Sequence, residues 1–226
     1  MRKFNSGFRM LRNRQITFIQ DLQGRVGLLG GTFDPIHAGH IAMAKAATTA
    51  HNLDRVVFIP AAQNPLKRVR PLASAEQRLD MLELALSSQA DMRFSDIEIQ
   101  RGAPSFSIDT VREILAQSPV ELLWIFGSDQ IPELHLWKEF SAFFELVKMV
   151  AVTHGNGQKP LDQILEQANE LSLAQKEHLR VNSVNLHYPL SASQIRAQLR
   201  AGDFAGVIRH IDPQVLDYIR REGLYQ

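Results

Sequence analysis

The chain has 226 residues, of which 45% are hydrophobic, and its formal net charge is only +1. This composition excludes a disordered chain, and the small charge gives no sign of a nucleic-acid or membrane-surface partner. The complete lack of cysteine excludes disulfides, thiolate metal sites and cysteine nucleophiles, and it is compatible with the reducing cytoplasm. No apolar run approaches the roughly 20 residues of a transmembrane helix. We therefore expect a cytoplasmic protein without nucleic-acid or membrane partners, and the composition leaves its oligomeric state open.

Residues 25–226 are predicted to form a single domain, and residues 1–24 are predicted to form a flexible N-terminal extension. The extension is basic and contains no acidic residue before Asp21. A transit peptide would have the same composition, so the role of this segment stays open. Its basic residues are Arg2, Lys3, Arg9, Arg12 and Arg14.

Strand and helix patterns alternate along the rest of the chain. The predicted strands cover residues 26–29, 55–60, 92–99, 122–126, 148–153 and 184–188. The predicted helices cover residues 37–50, 74–87, 107–117, 131–146, 161–179 and a final segment from 213 to about 222. Such alternation predicts a doubly wound α/β domain, in which helices cover both faces of a parallel sheet and the last helices pack on it.

The first candidate phosphate site follows the first predicted strand. Ligands of open parallel sheets bind beyond the carboxyl ends of the strands, which is where the segment Gly30-Gly31-Thr32-Phe33 lies. Adjacent glycines allow backbone N–H groups to approach a phosphate closely, and the start of the next helix adds a positive end. We expect these four residues to bind a phosphate group, although an ordinary strand-to-helix turn would contain the same glycines.

Two histidines, His37 and His40, stand three residues apart at the opening of the first predicted helix. This spacing places them on one helical face, where both rings can donate hydrogen bonds to phosphate oxygens whose charge grows during nucleotidyl transfer. They are the predicted catalytic pair. Two exposed histidines or half of a zinc site are the alternatives, and zinc is disfavoured because no cysteine or acidic ligand pattern completes such a site.

A second candidate phosphate site lies near the C-terminus, in the sequence LSASQIR at 190–196. Small hydroxyl residues at a helix start can bind phosphate oxygens, and an arginine one turn later can make paired, charge-assisted contacts with them. A capped surface helix with a solvated arginine is the alternative. The residues of this segment that we expect to contact a phosphate are Ser191, Ser193, Ile195 and Arg196.

The block GGTFDPIHAGH at 30–40, together with the serine-rich segment and Arg196, resembles the signature of the nucleotidyltransferase superfamily with paired histidines. The resemblance implies a Rossmann-like sheet. It also implies that both phosphate sites bind ATP and that Arg196 has a catalytic role beside the two histidines. Four intermediate segments, at 64–67, 104–110, 126–129 and 136–137, occur in the order seen in nicotinate mononucleotide adenylyltransferases. The chain is therefore expected to transfer the adenylyl group of ATP to nicotinate mononucleotide in NAD biosynthesis, with Mg²⁺ held mainly by phosphates and water rather than by a protein metal site.

The resemblance also suggests which residues meet the acceptor. Trp137 offers a face for the pyridine ring, and Ser107 lies at a helix start that could bind the nicotinate carboxylate. Gly127 and Asp129 are assigned to the ATP side, where Asp129 could accept hydrogen bonds from ribose hydroxyls. A core tryptophan, a capping serine and a solvated aspartate are the structural alternatives. The predicted nicotinate mononucleotide-binding residues are Lys67, Ser107, Asp109 and Trp137.

Two features depart from the family pattern, namely Lys138 after Trp137 and the turn at 153–157. They leave open how strongly the acid and amide mononucleotides are discriminated. Other open alternatives are adenylyl transfer to nicotinamide mononucleotide or pantetheine phosphate, and a nucleotide-binding sensor that catalyses nothing.

Overall fold

The structure, a computed structural model, describes residues 19–67, 69–154, 159–186 and 188–226. Within these ranges six strands form one parallel sheet in the order β3-β2-β1-β4-β5-β6. Strands β2 and β3 are added on one side of β1, and strands β4 to β6 are added on the other side, as in a doubly wound sheet. The predicted fold class is therefore confirmed. The strands are β1 (Arg25–Gly31), β2 (Arg55–Pro60), β3 (Met92–Phe94), β4 (Glu121–Gly127), β5 (Lys148–His154) and β6 (Val184–Leu186).

Helices cover both faces of this sheet. They are α1 (Ala38–His51), α2 (Ala75–Leu86), α3 (Ile97–Arg101), α4 (Ser107–Leu115), α5 (Phe140–Leu146), α6 (Leu161–Gln167), α7 (Leu173–Asn182), α8 (Ala192–Arg200), α9 (Phe204–Val207) and α10 (Pro213–Glu222). Two 3₁₀ segments, Ile19–Asp21 and Ser128–Leu136, complete the described elements.

Strand β4 shows how one sequence serves two cores. Successive strand side chains point to opposite faces. Leu123 and Ile125 accordingly pack in one cluster with α1, α2 and the C-terminal helices, whereas Leu122, Trp124 and Phe126 pack in the other with α4 and α5. Because both faces are buried, the strand is a continuous apolar run rather than an alternating one.

The last helix packs on the domain as predicted. Asp212 caps α10 by accepting the Gln214 backbone N–H at 2.8 Å, and Gly223 ends it in the left-handed conformation with φ +62°. Val215 and Ile219 lie in the same buried cluster as side chains of α1 and α2. The C-terminal segment is therefore part of the core cluster on this face of the sheet.

The strand predicted at 92–99 is wrong in its second half. Pairing with β2 stops at Phe94, and residues from Ile97 onward form the short helix α3. Ile97 packs in one core cluster and Ile99 packs against the other, so α3 contacts the clusters on both faces of the sheet. A short apolar alternation fits this arrangement as well as it fits a strand.

Two predicted helices are interrupted. The helix predicted at 131–146 is a 3₁₀ segment followed by α5, because Pro132 cannot donate a helical hydrogen bond and Glu139 adopts φ +50°. The helix predicted at 161–179 divides into α6 and α7, since Ser172 starts a new helix with a capping box to Gln175.

Most of the predicted N-terminal extension, residues 1–18, lies outside the described residues. Leu22 is 2% exposed and packs in the core cluster that contains Val26 and Leu28. The domain boundary at residue 25 stays a prediction. Leu22 lies on the N-terminal side of this boundary and nevertheless packs in the core. Across the described ranges, no helix has the length and apolarity needed to cross a membrane.

Candidate active site

Two adjoining cavities open at the carboxyl ends of β1 and β4, where the strand order reverses. The larger cavity has a volume of about 640 Å³ and the smaller cavity about 420 Å³. Both are lined by Gly30, Gly31, Thr32, Lys67, Asp129 and Gln130. We call residues 30–34 the glycine loop. A molecule in one cavity would meet a molecule in the other at this loop, which is the arrangement that a transfer between two substrates requires.

Packing alone requires the two glycines of the glycine loop. A Cβ added at Gly30 would lie 2.6 Å from Cζ2 of Trp124, and one added at Gly31 would lie 2.8 Å from the ring of Phe33. Both distances are far shorter than any van der Waals contact. Phe33 itself is buried beneath the loop with φ +50°. The loop is thus held tightly against aromatic rings.

His37 and His40 form a reciprocal cap at the start of α1. His37 Nδ1 accepts the Gly39 backbone N–H at 3.1 Å, and His40 Nδ1 accepts the His37 backbone N–H at 3.2 Å. A neutral imidazole whose Nδ1 accepts a hydrogen bond carries its proton on Nε2. Both residues line the larger cavity, so each ring can offer an Nε2–H donor to a ligand there.

Aromatic neighbours fix the orientation of this pair. The two imidazole centroids are 3.8 Å apart, Phe33 meets His40 edge-on at 4.9 Å, and Tyr188 stacks on His37 at 5.8 Å. A Cβ on Gly39 would lie 2.7 Å from the Tyr188 ring, so this glycine makes room for the stack. The sequence analysis missed Tyr188, whose burial raises the pKa of its hydroxyl.

The start of α8 faces the same cavity. Ser191 caps the helix together with Gln194, so the capping alternative for this serine is confirmed alongside its position at the cavity. Arg196 donates from Nη1 to the backbone carbonyl of Asp34 at 2.7 Å and from Nη2 to Ser193 Oγ at 3.4 Å. Arg196 therefore joins α8 to the glycine loop.

Arg78 supports the loop from below and was missed by the sequence analysis. Its side chain is 1% exposed, and Nη1 donates to the carbonyl oxygens of Thr32 and Ala61, both at 2.8 Å. Burial lowers the pKa of this guanidinium, and the nearby Asp34 opposes the shift. No local pattern marks Arg78, because it sits in a run of buried α2 residues.

Aromatic side chains form one wall of the smaller cavity. Trp137 packs against Trp124, Phe126 and Phe143 at centroid distances of 6.4, 6.0 and 5.6 Å. Trp137 is half-buried and lines the cavity together with Trp124 and Phe143, and these two rings and Phe126 are buried. Trp137 is thus fixed by neighbours while part of its surface stays available for a flat ligand.

The start of α4 lies opposite this wall. Phe106 occupies the N-cap position, and no side chain caps the helix among the described residues. Ser107 is the first helical residue, so the suggestion that it serves as the cap is wrong. It lines the smaller cavity, next to the backbone N–H groups of the first turn. An uncapped helix start directed at a cavity suits an anionic group.

A buried carboxylate lies behind this helix start. Thr110 donates from Oγ1 to Glu98 at 2.7 Å and accepts a hydrogen bond from Arg101 at 2.7 Å. Burial raises the pKa of Glu98, and hydrogen bonds from Thr110 and Ser105 and the charge of Arg101 oppose this shift. Glu98 also lines the smaller cavity, a feature that the sequence analysis missed because it placed the residue on a strand.

Charged side chains surround the mouths of the cavities. Lys67 donates to Thr32 Oγ1 at 3.2 Å. Lys138 lines the smaller cavity, lies over the Phe106 ring at 4.9 Å and pairs with both Asp109 oxygens at 2.9 and 3.0 Å. Asp109 thus reaches this site through Lys138 and does not itself line a cavity.

Most of the predicted site residues converge at the two cavities. Ile195 does not, because its side chain is fully buried in the core with Leu199 one helical turn away. Most of the turn at 153–157 lies outside the described residues. The predicted residues that line a cavity are Gly30, Gly31, Thr32, Phe33, His37, His40, Lys67, Ser107, Gly127, Asp129, Trp137, Ser191, Ser193 and Arg196.

Comparison with known proteins gives concordant results. The cytidylyltransferase-like family model matches residues 28–198. A protein of Bordetella petrii named probable nicotinate-nucleotide adenylyltransferase is 36% identical over 202 residues, which cover 89% of this chain and 99% of that protein. A protein of the same name from Chromobacterium violaceum is 36% identical over 215 residues, covering 91% and 100% of the two chains.

Solved structures share the fold. Plasmodium falciparum nicotinic acid mononucleotide adenylyltransferase complexed with APC has a TM-score of 0.65 at 16% identity, covering 89% of this chain and 96% of the other. The same enzyme complexed with NaAD gives a TM-score of 0.63 at 16% identity, covering 90% and 98%. At this identity the likeness concerns the fold alone.

Proposed function

The chain belongs to the cytidylyltransferase-like family and, within it, to the nicotinate-nucleotide adenylyltransferases, and we propose that it transfers the adenylyl group of ATP to nicotinate mononucleotide. The products are nicotinate adenine dinucleotide, an intermediate of NAD biosynthesis, and pyrophosphate. The observation that carries this proposal is the meeting of the two cavities at Gly30, Gly31 and Thr32, beside the paired histidines.

We assign ATP to the larger cavity. Its lining combines two imidazole donors with Lys67 and Arg196, so it can hold a triphosphate along its length. Gly127 ends β4 and Asp129 follows it; both line the larger cavity, where Asp129 can accept hydrogen bonds from ribose hydroxyls. The hydroxyl of Ser193 adds a neutral donor at the start of α8.

We assign nicotinate mononucleotide to the smaller cavity. The exposed part of Trp137 provides a stacking face, and the uncapped start of α4 at Ser107 provides N–H donors for the carboxylate. Lys67 and Thr32 lie where the two cavities meet, which is where the acceptor phosphate must approach the α-phosphorus of ATP. Lys138 adds a positive charge at the cavity mouth, although its pairing with Asp109 reduces that effect.

In the proposed reaction an oxygen of the acceptor phosphate attacks the α-phosphorus in line, and the bond to the departing pyrophosphate breaks. An ionised phosphate needs no general base, so catalysis depends on alignment and on stabilising the charge that develops. The Nε2–H groups of His37 and His40 are proposed to donate to the α- and β-phosphate oxygens in the transition state. Arg196 is proposed to stabilise the departing pyrophosphate.

We further propose that Mg²⁺ accompanies ATP, where it would neutralise part of the phosphate charge. The described residues contain no group of three or more histidine or acidic side chains that could hold a metal ion alone. Such an ion would therefore take most of its ligands from phosphates and water. The cytoplasmic location stays a prediction.

One observation favours a second acceptor, nicotinamide mononucleotide. Glu98 lines the smaller cavity, and its carboxylate could accept a hydrogen bond from the NH₂ group of the amide. The positive helix start at Ser107 favours the acid instead. The two features compete for the same part of the ligand, so the choice depends on their balance.

The test is a pyrophosphate-release assay with ATP, Mg²⁺ and each of three acceptors: nicotinate mononucleotide, nicotinamide mononucleotide and pantetheine phosphate. We expect the highest kcat/KM with nicotinate mononucleotide, and the dinucleotide product is identified by chromatography. Turnover with pantetheine phosphate alone would reject the acceptor assignment. Failure with all three acceptors, under conditions where the protein is folded, would reject the proposed activity.

A further inference from the structure

The buried carboxylate of Asp34 connects the glycine loop to three distant segments of the chain. Its side chain is almost fully buried, and its oxygens accept hydrogen bonds from Leu72 N at 2.8 Å, Ala73 N at 3.0 Å and the Tyr225 hydroxyl at 2.7 Å. Its backbone carbonyl accepts the hydrogen bond from Arg196. Asp34 is thus a common point of attachment for the elements around the larger cavity.

The chemistry of this contact requires a phenol that stays protonated. Burial raises the pKa of Tyr225, and the adjacent charge of Asp34 raises it further. The hydroxyl therefore remains a donor throughout the pH range in which enzymes work. A hydrogen bond from a neutral donor to a buried carboxylate is stronger than one between neutral groups, so Tyr225 contributes directly to the orientation of Asp34.

Apart from Tyr225, the hydrogen-bond partners of Asp34 belong to segments that line a cavity. Leu72 and Ala73 end the segment that carries Lys67, which lines both cavities. The Asp34 carbonyl fixes the guanidinium of Arg196. A rotation of residue 34 would therefore shift contacts on both sides of the triphosphate. Tyr225 itself lines neither cavity.

We propose that Tyr225, near the C-terminus, is a positioning residue for adenylyl transfer. Through Asp34 it holds the glycine loop, the segment that ends at Ala73 and Arg196 in the arrangement that receives ATP. This inference rests on the proposed function, because it assumes that the larger cavity is the ATP site. It assigns to a residue 191 positions away from Asp34 a role in binding and turnover that its location in the core would not suggest.

The chain contains a matched control in Tyr218. This tyrosine also belongs to the C-terminal core, is 2% exposed and donates from its hydroxyl to a buried aspartate, Asp80, at 2.9 Å. Neither Tyr218 nor Asp80 lines either of the two cavities of the site. Tyr225→Phe and Tyr218→Phe therefore remove the same kind of hydrogen bond from the same core, and only the first bond leads to the cavities.

The experiment compares the complete wild-type protein with these two variants. Thermal unfolding measures the structural effect, and steady-state kinetics with ATP and nicotinate mononucleotide give kcat and each KM. We expect both variants to unfold at lower temperature, because each loses a buried hydrogen bond. Only Tyr225→Phe should raise the KM for ATP and lower kcat, reducing kcat/KM for ATP at least tenfold. Tyr218→Phe should stay within twofold of wild type.

A Tyr225→Phe protein with kcat/KM for ATP within twofold of wild type would overturn the proposal, as would an equal loss in Tyr218→Phe. Titration calorimetry with a non-hydrolysable ATP analogue separates this inference from the proposed function. If the wild-type protein turns over no acceptor but binds the analogue, selective weakening of binding in Tyr225→Phe still supports the positioning role. Wild-type protein that binds no analogue overturns both proposals.

Discussion

His40 Nδ1 accepts the backbone N–H of His37 at 3.2 Å, so the two histidines of the larger cavity are also the cap of the helix that carries them. In each ring Nδ1 accepts a backbone N–H at the start of α1, and Nε2 lies on the opposite edge of the ring. This division fixes the tautomer in which Nε2 is the donor. Capping and phosphate binding are therefore separable by substitutions that mimic one nitrogen only.

Asparagine at position 40 tests this separation. Its Oδ1 can replace Nδ1 as the acceptor of the cap, but it lacks a donor at the position of Nε2. We expect His40→Asn to retain most of the wild-type melting temperature and to lose kcat by roughly 10²- to 10³-fold, the usual effect of removing one donor to a developing charge. Circular dichroism melting and pyrophosphate-release kinetics provide the two measurements.

His40→Ala is the companion variant. It removes both the cap acceptor and the Nε2–H donor, so we expect the same loss of kcat together with a loss of stability of about 1 kcal/mol. Near-wild-type turnover in His40→Asn would show that His40 acts only as a cap. Equal stability of the two variants would show that the capping bond contributes little.

Arg196 offers a second test on the other side of the larger cavity. Arg196→Lys keeps the positive charge but cannot make paired contacts with a phosphate and the Asp34 carbonyl together. We expect kcat/KM for ATP to fall roughly ten- to a hundredfold. The KM for nicotinate mononucleotide should change much less, because Arg196 does not line the smaller cavity. An unchanged dependence on ATP would contradict the assignment of Arg196 to the pyrophosphate.

The sheet could be predicted from sequence because its signals are local. Short apolar runs predicted five strands close to their observed bounds, whereas the strand predicted at 92–99 is correct only as far as Phe94, because a short alternation also fits a helical turn. Ile195 shows the opposite error. Its position within the LSASQIR motif suggested a ligand contact, yet Ile195 and Leu199 are one turn apart and form the core face of α8.

The supporting contacts of the site could not be predicted in the same way. Arg78 reaches Thr32 across 46 positions, and Tyr225 reaches Asp34 across 191. A local sequence pattern cannot indicate partners so far apart in the chain. In the sequence of α2, the buried Arg78 cannot be told apart from a solvated arginine. Most of the cavity-lining residues that were predicted therefore come from motifs, whereas the residues that hold those motifs in place are found only from the fold.

The N-terminal boundary leads to a third prediction. We expect proteins that begin at Ile19 and at Gly24 both to fold and to remain active, because none of the described residues 19–24 lines either cavity. The protein beginning at Gly24 lacks Leu22, which is buried in the core. Since loss of a buried leucine side chain typically destabilises by about 2 to 5 kcal/mol, we expect this protein to melt at a lower temperature.

Wild-type protein and Leu22→Ala are the controls for this comparison. Leu22→Ala in the full chain should reproduce most of the destabilisation seen on removing residues 1–23. If the two shortened proteins melt at the same temperature, the packing of Leu22 contributes nothing to stability. If the protein beginning at Ile19 loses activity, residues 1–18 have a role beyond an extension.

His178 predicts a dependence of stability on pH. Its Nε2 accepts the Met149 backbone N–H at 3.2 Å, and burial, assisted by the charge of Lys148, lowers its pKa. The unfolded chain then binds the proton more readily than the folded chain. Stability is therefore retained above the ordinary histidine pKa of about 6.5 and is lost as pH falls from there through the lowered value.

His178→Gln should reduce this acid-dependent loss, because the glutamine Oε1 can accept the same N–H without titrating. The measurement is the melting temperature between pH 7.5 and pH 5 for wild type and His178→Gln, with the exposed His135→Gln as the control. Parallel pH profiles for wild type and His178→Gln would contradict the prediction. His135→Gln should follow wild type.

The choice of acceptor gives the last prediction, and it depends on the two walls of the smaller cavity. Trp137 can stack on either mononucleotide, whereas the uncapped helix start at Ser107 distinguishes a carboxylate from a carboxamide. We expect kcat/KM for the acid to exceed that for the amide by roughly ten- to a hundredfold, equivalent to about 1.4 to 3 kcal/mol. Steady-state kinetics with both mononucleotides measure this ratio.

Variants on the two walls separate binding from discrimination. Trp137→Ala should impair both mononucleotides by a similar factor, so the acid-to-amide ratio should survive. Lys138→Ala should lower the ratio only slightly, because Asp109 already neutralises this exposed lysine. Asp109→Asn should raise the ratio, since it frees the positive charge beside the cavity. A wild-type ratio near one, or a preference for the amide that Glu98→Gln abolishes, would instead assign discrimination to Glu98, while leaving adenylyl transfer itself intact.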